Sequence, residues 1–306
     1  MPDLHGVLVV DKPPGPTSHD VVDGVRRALG TRRAGHTGTL DPFATGVLPV
    51  CVGKATRLAR FLSGGEKAYE ATVRLGFVTT TDDLRGEPLA PARPVAVDRA
   101  AVQGACRRLT GALRQVPPAY SARRVAGRRL YELARRGVEV EREAASVTVH
   151  AFEVTGFAGD RVDVAVRCSP GTYVRALARD LGEALGVGGH LVALRRLRSG
   201  DFTLDQAVDG AAPSAAWADR LLPMAALLPG LPAVRVGPEG AAALRHGRDL
   251  TRPMVSSGFP PEPQERFRVV DEAGALLALA VPRGFDVAAP GLAVEPVLHP
   301  EIVLAD

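Results

Sequence analysis

The sequence predicts an α+β fold, built as one large mixed domain followed by a small all-β one. Helical and strand periodicities both occur, but without the regular strand-helix-strand rhythm of a doubly wound sheet. Alternating strand runs fill the middle of the chain (Tyr69 to Leu75, Ser146–Phe157, Arg161–Cys168). Past residue 229 only short strand-like runs remain, cut by Gly and Pro, as in a small β-barrel. With 306 residues and 46% apolar content, the chain is long enough to bury one ordinary core and a second small one.

Taken in order, Gly6 to Val10 is a short apolar run that reads as a buried strand, and Asp11-Lys-Pro-Pro-Gly-Pro16 breaks it because prolines cannot continue a ladder. Thr17 or Ser18 can cap a helix in which Val21, Val22, Val25 and Leu29 recur at helical spacing, with a stop at Gly30. Residues 35–46 read as a glycine-punctuated loop. In the run Arg161–Cys168, Val162, Val164 and Val166 point to one face. Thr172 is placed to cap a second helix, with Val174, Leu177, Leu181 and Leu185 as its apolar stripe and Gly186 as its end. Arg175 and Arg179 then share the opposite face, with Glu183 in i,i+4 register to Arg179. A shift to Ala, Pro and Gly around 209–232 puts a boundary near residue 229, dividing the chain into 1–228 and 229–306. In the second part Ala233–Val236, Phe267–Val270 and Leu276–Val281 read as strands, and the proline-rich stretch 252–265 as a mobile loop.

Charge narrows the function classes. Residues 229–306 hold seven Arg against ten acids, a net of −3, so the first part carries +7 of the overall +4. Within that part, 107–136 holds nine Arg and a single acid, Glu132. Such a cluster fits a phosphate-binding surface with salt-sensitive affinity for nucleic acid; an Arg-rich solvated helix face is the other reading of the same composition. No apolar run approaches the roughly 18 residues that span a bilayer, and Met-Pro-Asp-Leu-His at the start lacks the layout of a signal peptide, so the expected address is the cytoplasm. Cys51, Cys106 and Cys168 lie far apart, without the spacing of a zinc site or a disulfide framework, so no metal is expected.

The densest feature is Gly35-His-Thr-Gly-Thr-Leu-Asp-Pro-Phe-Ala-Thr-Gly46. Three glycines in so short a stretch allow close backbone approach, which a substrate-binding loop needs. Asp41-Pro42 also has the form of a helix start, with Asp as N-cap and Pro at the first position. The two readings are compatible, because a helix dipole would hold a reactive carboxylate ionised. A phosphate-binding P-loop is disfavoured, since Leu48 stands where its first glycine belongs and Ala55 follows Lys54. No Gly-x-Ser-x-Gly elbow occurs in the chain.

The run GHTGTLDPFATGVLPVCVGKATR, from Gly35 to Arg57, resembles the catalytic motif of TruB-type pseudouridine synthases, and its aspartate matches Asp41. Further blocks agree in order: Gly6-Val-Leu-Val-Val-Asp-Lys-Pro, Lys67-Ala-Tyr69 with Arg74-Leu-Gly76, and Cys168-Ser-Pro-Gly-Thr-Tyr-Val-Arg175 with Leu194-Arg-Arg-Leu197. The likeness spans about residues 6–205. It implies the pseudouridine synthase fold, a mixed, mostly antiparallel sheet flanked by helices and loops, with a PUA-like barrel after it. It implies isomerisation of uridine 55 in the TΨC arm of tRNA, without a cofactor and without an obligatory protein partner; a monomer is expected. By the same resemblance Asp41 is the nucleophile or base, and Arg175 its ion-pair partner, holding its pKa low. Tyr69 stacks on the target base, Tyr173 assists proton removal, and Leu194 lines the base pocket. His36 fills the space of the flipped base, with Thr37 and Gly38 beside it. Lys12 and the loop Thr79-Thr-Thr-Asp-Asp-Leu-Arg-Gly86 fall near the RNA. The basic stretch 115–142 resembles an insertion that folds over the tRNA elbow. Two other functions remain: an RNA-binding or tRNA-folding factor whose pocket is not its main purpose, and a guide-RNA-dependent synthase.

Overall fold

The computed structural model describes residues 4–121, 124–125, 128–130, 136, 138, 140–260, 264–284 and 297–305. Its strands in chain order are β1 (Gly6–Lys12), β2 (Ala34–His36), β3 (Thr45–Val52), β4 (Lys67–Leu75), β5 (Gly111–Gln115), β6 (Arg124–Val125), β7 (Arg128–Arg129), β8 (Ala145–Ala158) and β9 (Arg161–Cys168). They continue with β10 (Gly189–Ser199), β11 (Phe202–Thr203), β12 (Val208–Asp209), β13 (Leu222–Pro223), β14 (Ala233–Val236), β15 (Val255–Ser257), β16 (Phe267–Val270), β17 (Leu276–Arg283) and β18 (Val297–Val303). The α-helices among the described residues are α1 (Ser18–Ala28), α2 (Ala59–Leu62), α3 (Arg99–Arg108), α4 (Val174–Ala184) and α5 (Pro238–Arg245).

The large sheet runs β12-β1-β3-β10-β4-β9-β8-β5, with β2 and β13 on β3 and β1 and with β11 on β10. Only β1 with β12 and β10 with β3 pair in parallel, so the sheet is mixed and mostly antiparallel, as predicted. Its two faces bury different sets of residues, because side chains alternate along each strand. Leu8, Val10, Leu48 and Val50 face α1 and α4 in one core, together with Tyr69 and Leu194. Val7, Val9, Val47 and Cys51 face the other way and pack with Leu58 and Leu62, and with Leu279 and Ile302 of the second sheet. That second sheet, β15-β14-β16-β17-β18, keeps a core of its own against α5. Its docking on the large sheet is reinforced by Glu301, which pairs with Arg60 and Arg266 at 2.7 Å each.

Helix α1 forms as predicted: Thr17 and Asp20 make a reciprocal capping box. Its buried Ser18 both donates to and accepts from the backbone of Leu40, pinning the loop one residue before Asp41. Three expectations are corrected. Thr172 does not cap α4; Tyr173 is the N-cap residue, without a side-chain cap. Arg179 turns to Asp82 (2.9 Å) and Asp180 (2.8 Å) rather than to Glu183, because these carboxylates sit in the same half-buried crevice. The stretch 252–265 is not simply a loop, since β15 lies within it; residues 261–263 are outside the described residues, as is much of the predicted insertion 115–142.

The strands β3 and β10 went unread in the sequence, because Pro49 and the Gly35–Gly46 stretch disguise β3 as loop. Along its second edge β3 pairs with β10 at Thr45 and Gly46 and with β2 from Val50 onward. Pro49 falls in the gap between these two ladders, where a missing N–H interrupts neither. Gly46 is required at the junction: its φ is +102° and a β-carbon would stand 2.1 Å from the carbonyl oxygen of Arg196. Gly46→Ala is therefore expected to cost more than about 3 kcal/mol, since strain and a backbone clash add. A urea midpoint within experimental error of the parent would contradict this.

Candidate active site

Asp41 opens a tight turn in which Ala44 N–H donates to its carbonyl at 3.0 Å. No helix begins there, so the capping reading of Asp41-Pro42 is corrected: proline fixes the turn, and the carboxylate is left to other partners. The partner is Arg175, in the first turn of α4 and only 6% exposed at its side chain. Its Nη2 donates to Asp41 Oδ1 at 3.1 Å, while Nε lies 2.9 Å from Oδ2 as an ionic contact without hydrogen-bond alignment. The remaining donors of Arg175 reach the carbonyls of Thr81 (3.0 Å) and Tyr120 (2.8 Å), and Asp83 Oδ2 lies 3.5 Å from Nη1.

Asp41 keeps 29% of its side-chain exposure, open toward solvent on one side with protein around the rest. Burial raises its pKa above the ordinary carboxylate value, and the nearby Asp83 adds to the rise; Arg175 and Lys12 oppose it. The expected low pKa is thereby corrected: the guanidinium moderates desolvation without overcoming it.

Lys12 has a different surrounding from the one its sequence position implied. It is fully buried, and its ammonium donates to the carbonyls of Pro13 (2.9 Å), Pro42 (3.1 Å) and Ala44 (2.8 Å). Two of the three donors are thus committed to the turn that carries Asp41, and the third to the neighbouring carbonyl of Pro13. Burial lowers its pKa to about 8, and the Asp41 charge opposes that shift.

Tyr69 on β4 is buried and faces the same core as Leu194, on the neighbouring β10. Burial raises the pKa of its phenol, and the neighbouring Arg196 guanidinium, within hydrogen-bonding reach, lowers it; the Asp41 charge is felt there too. His36 ends β2, and burial lowers its pKa, so its ring is held neutral. Its Nδ1 and the hydroxyl of buried Thr37 have no hydrogen-bond partner among the described residues. Tyr173 is half-buried at the start of α4, its backbone N–H donating to Gln115 Oε1 at 2.8 Å.

Sequence reasoning missed four residues of this arrangement. Arg196, 1% exposed, bridges the gap along β3: Nε donates to Val47 O at 2.7 Å, Nη1 to Thr39 O at 3.3 Å and Nη2 to Gly38 O at 3.1 Å. Asp82 and Asp83, read as part of a turn, instead anchor Arg179 and Arg175, and Asp82 takes a φ of 59° to do so. Gln115 holds Tyr173 from the other side. The only sequence signal was the place of Arg196 and the two aspartates inside family-like blocks; nothing marked Gln115. Among the described residues no group of His, Cys, Asp or Glu is gathered to hold a metal ion.

The mixed sheet and the Asp41–Arg175 pair fit the class that the sequence resemblance implies, a pseudouridine synthase, and comparisons with known proteins show that class. The TruB family pseudouridylate synthase N-terminal domain matches residues 26–174, and the tRNA pseudouridylate synthase B C-terminal domain matches 175–224. The tRNA pseudouridine synthase B of Solibacter usitatus is 42% identical over 98% of this chain and 100% of its own length. That of Thermobifida fusca is 59% identical over 66% of this chain and 72% of its own. Among solved structures, a Cbf5-Nop10-Gar1 complex contains a chain 28% identical, with a TM-score of 0.70 over 97% of this chain and 84% of that one. The archaeal box H/ACA Nop10-Cbf5 complex gives 26% identity and a TM-score of 0.71 over 98% and 86%. The protein belongs to the TruB family of pseudouridylate synthases.

Proposed function

We propose that the protein isomerises uridine 55 in the T-arm of tRNA to pseudouridine, with Asp41 as the catalytic carboxylate. The observation that carries the reading is the side-on grip of buried Arg175 on Asp41, which leaves the carboxylate one open side. The reaction breaks the bond between N1 and C1′, turns the uracil, and joins C5 to C1′; the C5 proton leaves and N1 gains one. Atoms and charge balance within the substrate, so the chain needs to supply one carboxylate, a stacking surface and a pocket for an extruded base. Tyr69 and Leu194 wall the pocket, and Tyr173 faces the other side of the ring and assists removal of the C5 proton. His36, neutral, takes the place of the flipped base in the RNA, with Thr37 and Gly38 along the same backbone. Lys12 contributes by fixing the Asp41 turn.

Recognition of the folded T-arm through shape and backbone fits the arginine cluster of 107–136. A boundary near residue 229, action as a monomer, action without a protein partner and a cytoplasmic address complete the proposal; no helix of the described residues is long and apolar enough to cross a membrane. Guide-RNA dependence is disfavoured by the closer, end-to-end identity with tRNA pseudouridine synthase B. Incubation with unmodified tRNA, without guide RNA, nucleotide or added metal, should yield pseudouridine at position 55 by chemical labelling. No product would overturn the enzymatic reading, and product only with a guide RNA would overturn the tRNA one.

The pH profile follows from the carboxylate. Asp41 acts ionised, and burial raises its pKa above the value of about 3.9 of an exposed aspartate. Lowering the pH protonates the group with the raised pKa first, so single-turnover rates should begin to fall above that value. An acid limb at or below it would contradict the desolvated setting.

A further inference from the structure

We infer that Gln115 is a positioning residue for the reaction, holding the backbone of Tyr173 so that the first turn of α4 presents Arg175 to Asp41. The inference rests on the proposed role of Asp41. Gln115 ends β5, where the predicted insertion begins, and is 3% exposed. Both polar atoms of its amide are committed to one residue: Oε1 accepts from Tyr173 N–H at 2.8 Å and Nε2 donates to Tyr173 O at 3.2 Å. The side chain thus pairs with Tyr173 as a neighbouring strand would.

Tyr173 is a helix N-cap without a side-chain cap, at φ −99° and ψ 111°. Its carbonyl also accepts the helical bond from Leu177 N–H at 3.1 Å. A residue at such a junction has few local constraints on its backbone, and Gln115 supplies them through two buried hydrogen bonds. Two residues on, the Arg175 guanidinium must meet Asp41, Thr81 O and Tyr120 O together. A rotation of the first turn lengthens these contacts together.

The segment following Gln115 grips the same helix twice more. Val116 O accepts from Arg179 at 3.1 Å and Tyr120 O accepts from Arg175 at 2.8 Å. The stem of the insertion is therefore fastened to α4 at Tyr173, Arg175 and Arg179, and displacement of the stem is carried directly to the Asp41 partner. Gln115 touches none of the reacting atoms in this account; it acts through Tyr173 and Arg175.

Gln115→Met keeps the volume and removes both bonds. The single-turnover rate should fall at least about tenfold with the tRNA KM within about threefold, as for a misplaced catalytic geometry. The acid limb should move to higher pH, because a displaced Arg175 opposes the rise of the Asp41 pKa less. In an Arg175→Lys background the same substitution should cost less than about threefold, since its effect passes through Arg175. An unchanged rate, a loss confined to KM, or losses that multiply independently would overturn the inference. Gln115→Ala, which removes both bonds without placing a charge at this buried position, serves the same measurements should the Met variant fail to fold. An inactive parent protein would instead defeat the proposed function itself.

Discussion

Asp41→Asn should abolish isomerisation, lowering the single-turnover rate more than about a thousandfold, or roughly 4 kcal/mol of barrier, while leaving tRNA affinity within a few-fold. The substitution is nearly isosteric. Its amide oxygen can still accept from Arg175 Nη2, although the amide nitrogen then faces Arg175 Nε and the ionic part of the pair is lost. Arg175 keeps the carbonyls of Thr81 and Tyr120 and the charge of Asp83, so its guanidinium is not left without partners. Ionised Asp41 is held against desolvation, so its removal should change stability by about 1 kcal/mol or less. Filter binding and pseudouridine mapping on one preparation separate the two effects. Conversion at an appreciable fraction of the parent rate would remove Asp41 from the chemistry.

Local order was readable where a few neighbouring residues determine it. The capping box of α1, the strands β4, β8 and β9, and the strands β14, β16 and β17 of the second sheet follow from caps, breakers and alternation. β3 and β10 did not, because what makes them strands is distant. Gly46 fits only against the backbone of Arg196, and Pro49 is tolerated only because the two ladders on that edge leave a gap beside it. The candidate site divides in the same way. Asp41, Tyr69, Tyr173 and Arg175 were named through their motifs, whereas the contacts that hold this region together reach across the chain: Lys12 to Ala44, Arg196 to Gly38, Gln115 to Tyr173. Periodicity reports which face of an element is buried, and says nothing of which carbonyl a buried cation will find. The upward direction of the Asp41 pKa was missed for the same reason, since desolvation sums over everything packed around the group.

Arg175→Met should be the most damaging single change at the site for stability and rate together. The methionine fills much of the volume but leaves Asp83, 6% exposed, and Asp41 without their shared cation, and strands the carbonyls of Thr81 and Tyr120. Breaking a buried pair by removing one partner costs roughly 3–5 kcal/mol, because the surviving charge remains desolvated. For a chain of this size that corresponds to a fall in Tm of roughly 5–15 °C. The larger of the influences that oppose the rise of the Asp41 pKa also disappears, leaving Lys12, so the pKa goes up further and the acid limb moves to higher pH. Even where the carboxylate is ionised, it is no longer aimed, and the rate should drop at least about a hundredfold. Arg175→Lys divides these effects: an ammonium restores charge between the two carboxylates and part of the lost stability, but a point charge cannot span both carboxylates and both carbonyls. Its rate should therefore stay more than about tenfold below the parent. Full activity in the lysine variant would mean that charge alone suffices and that the side-on geometry has no part in catalysis.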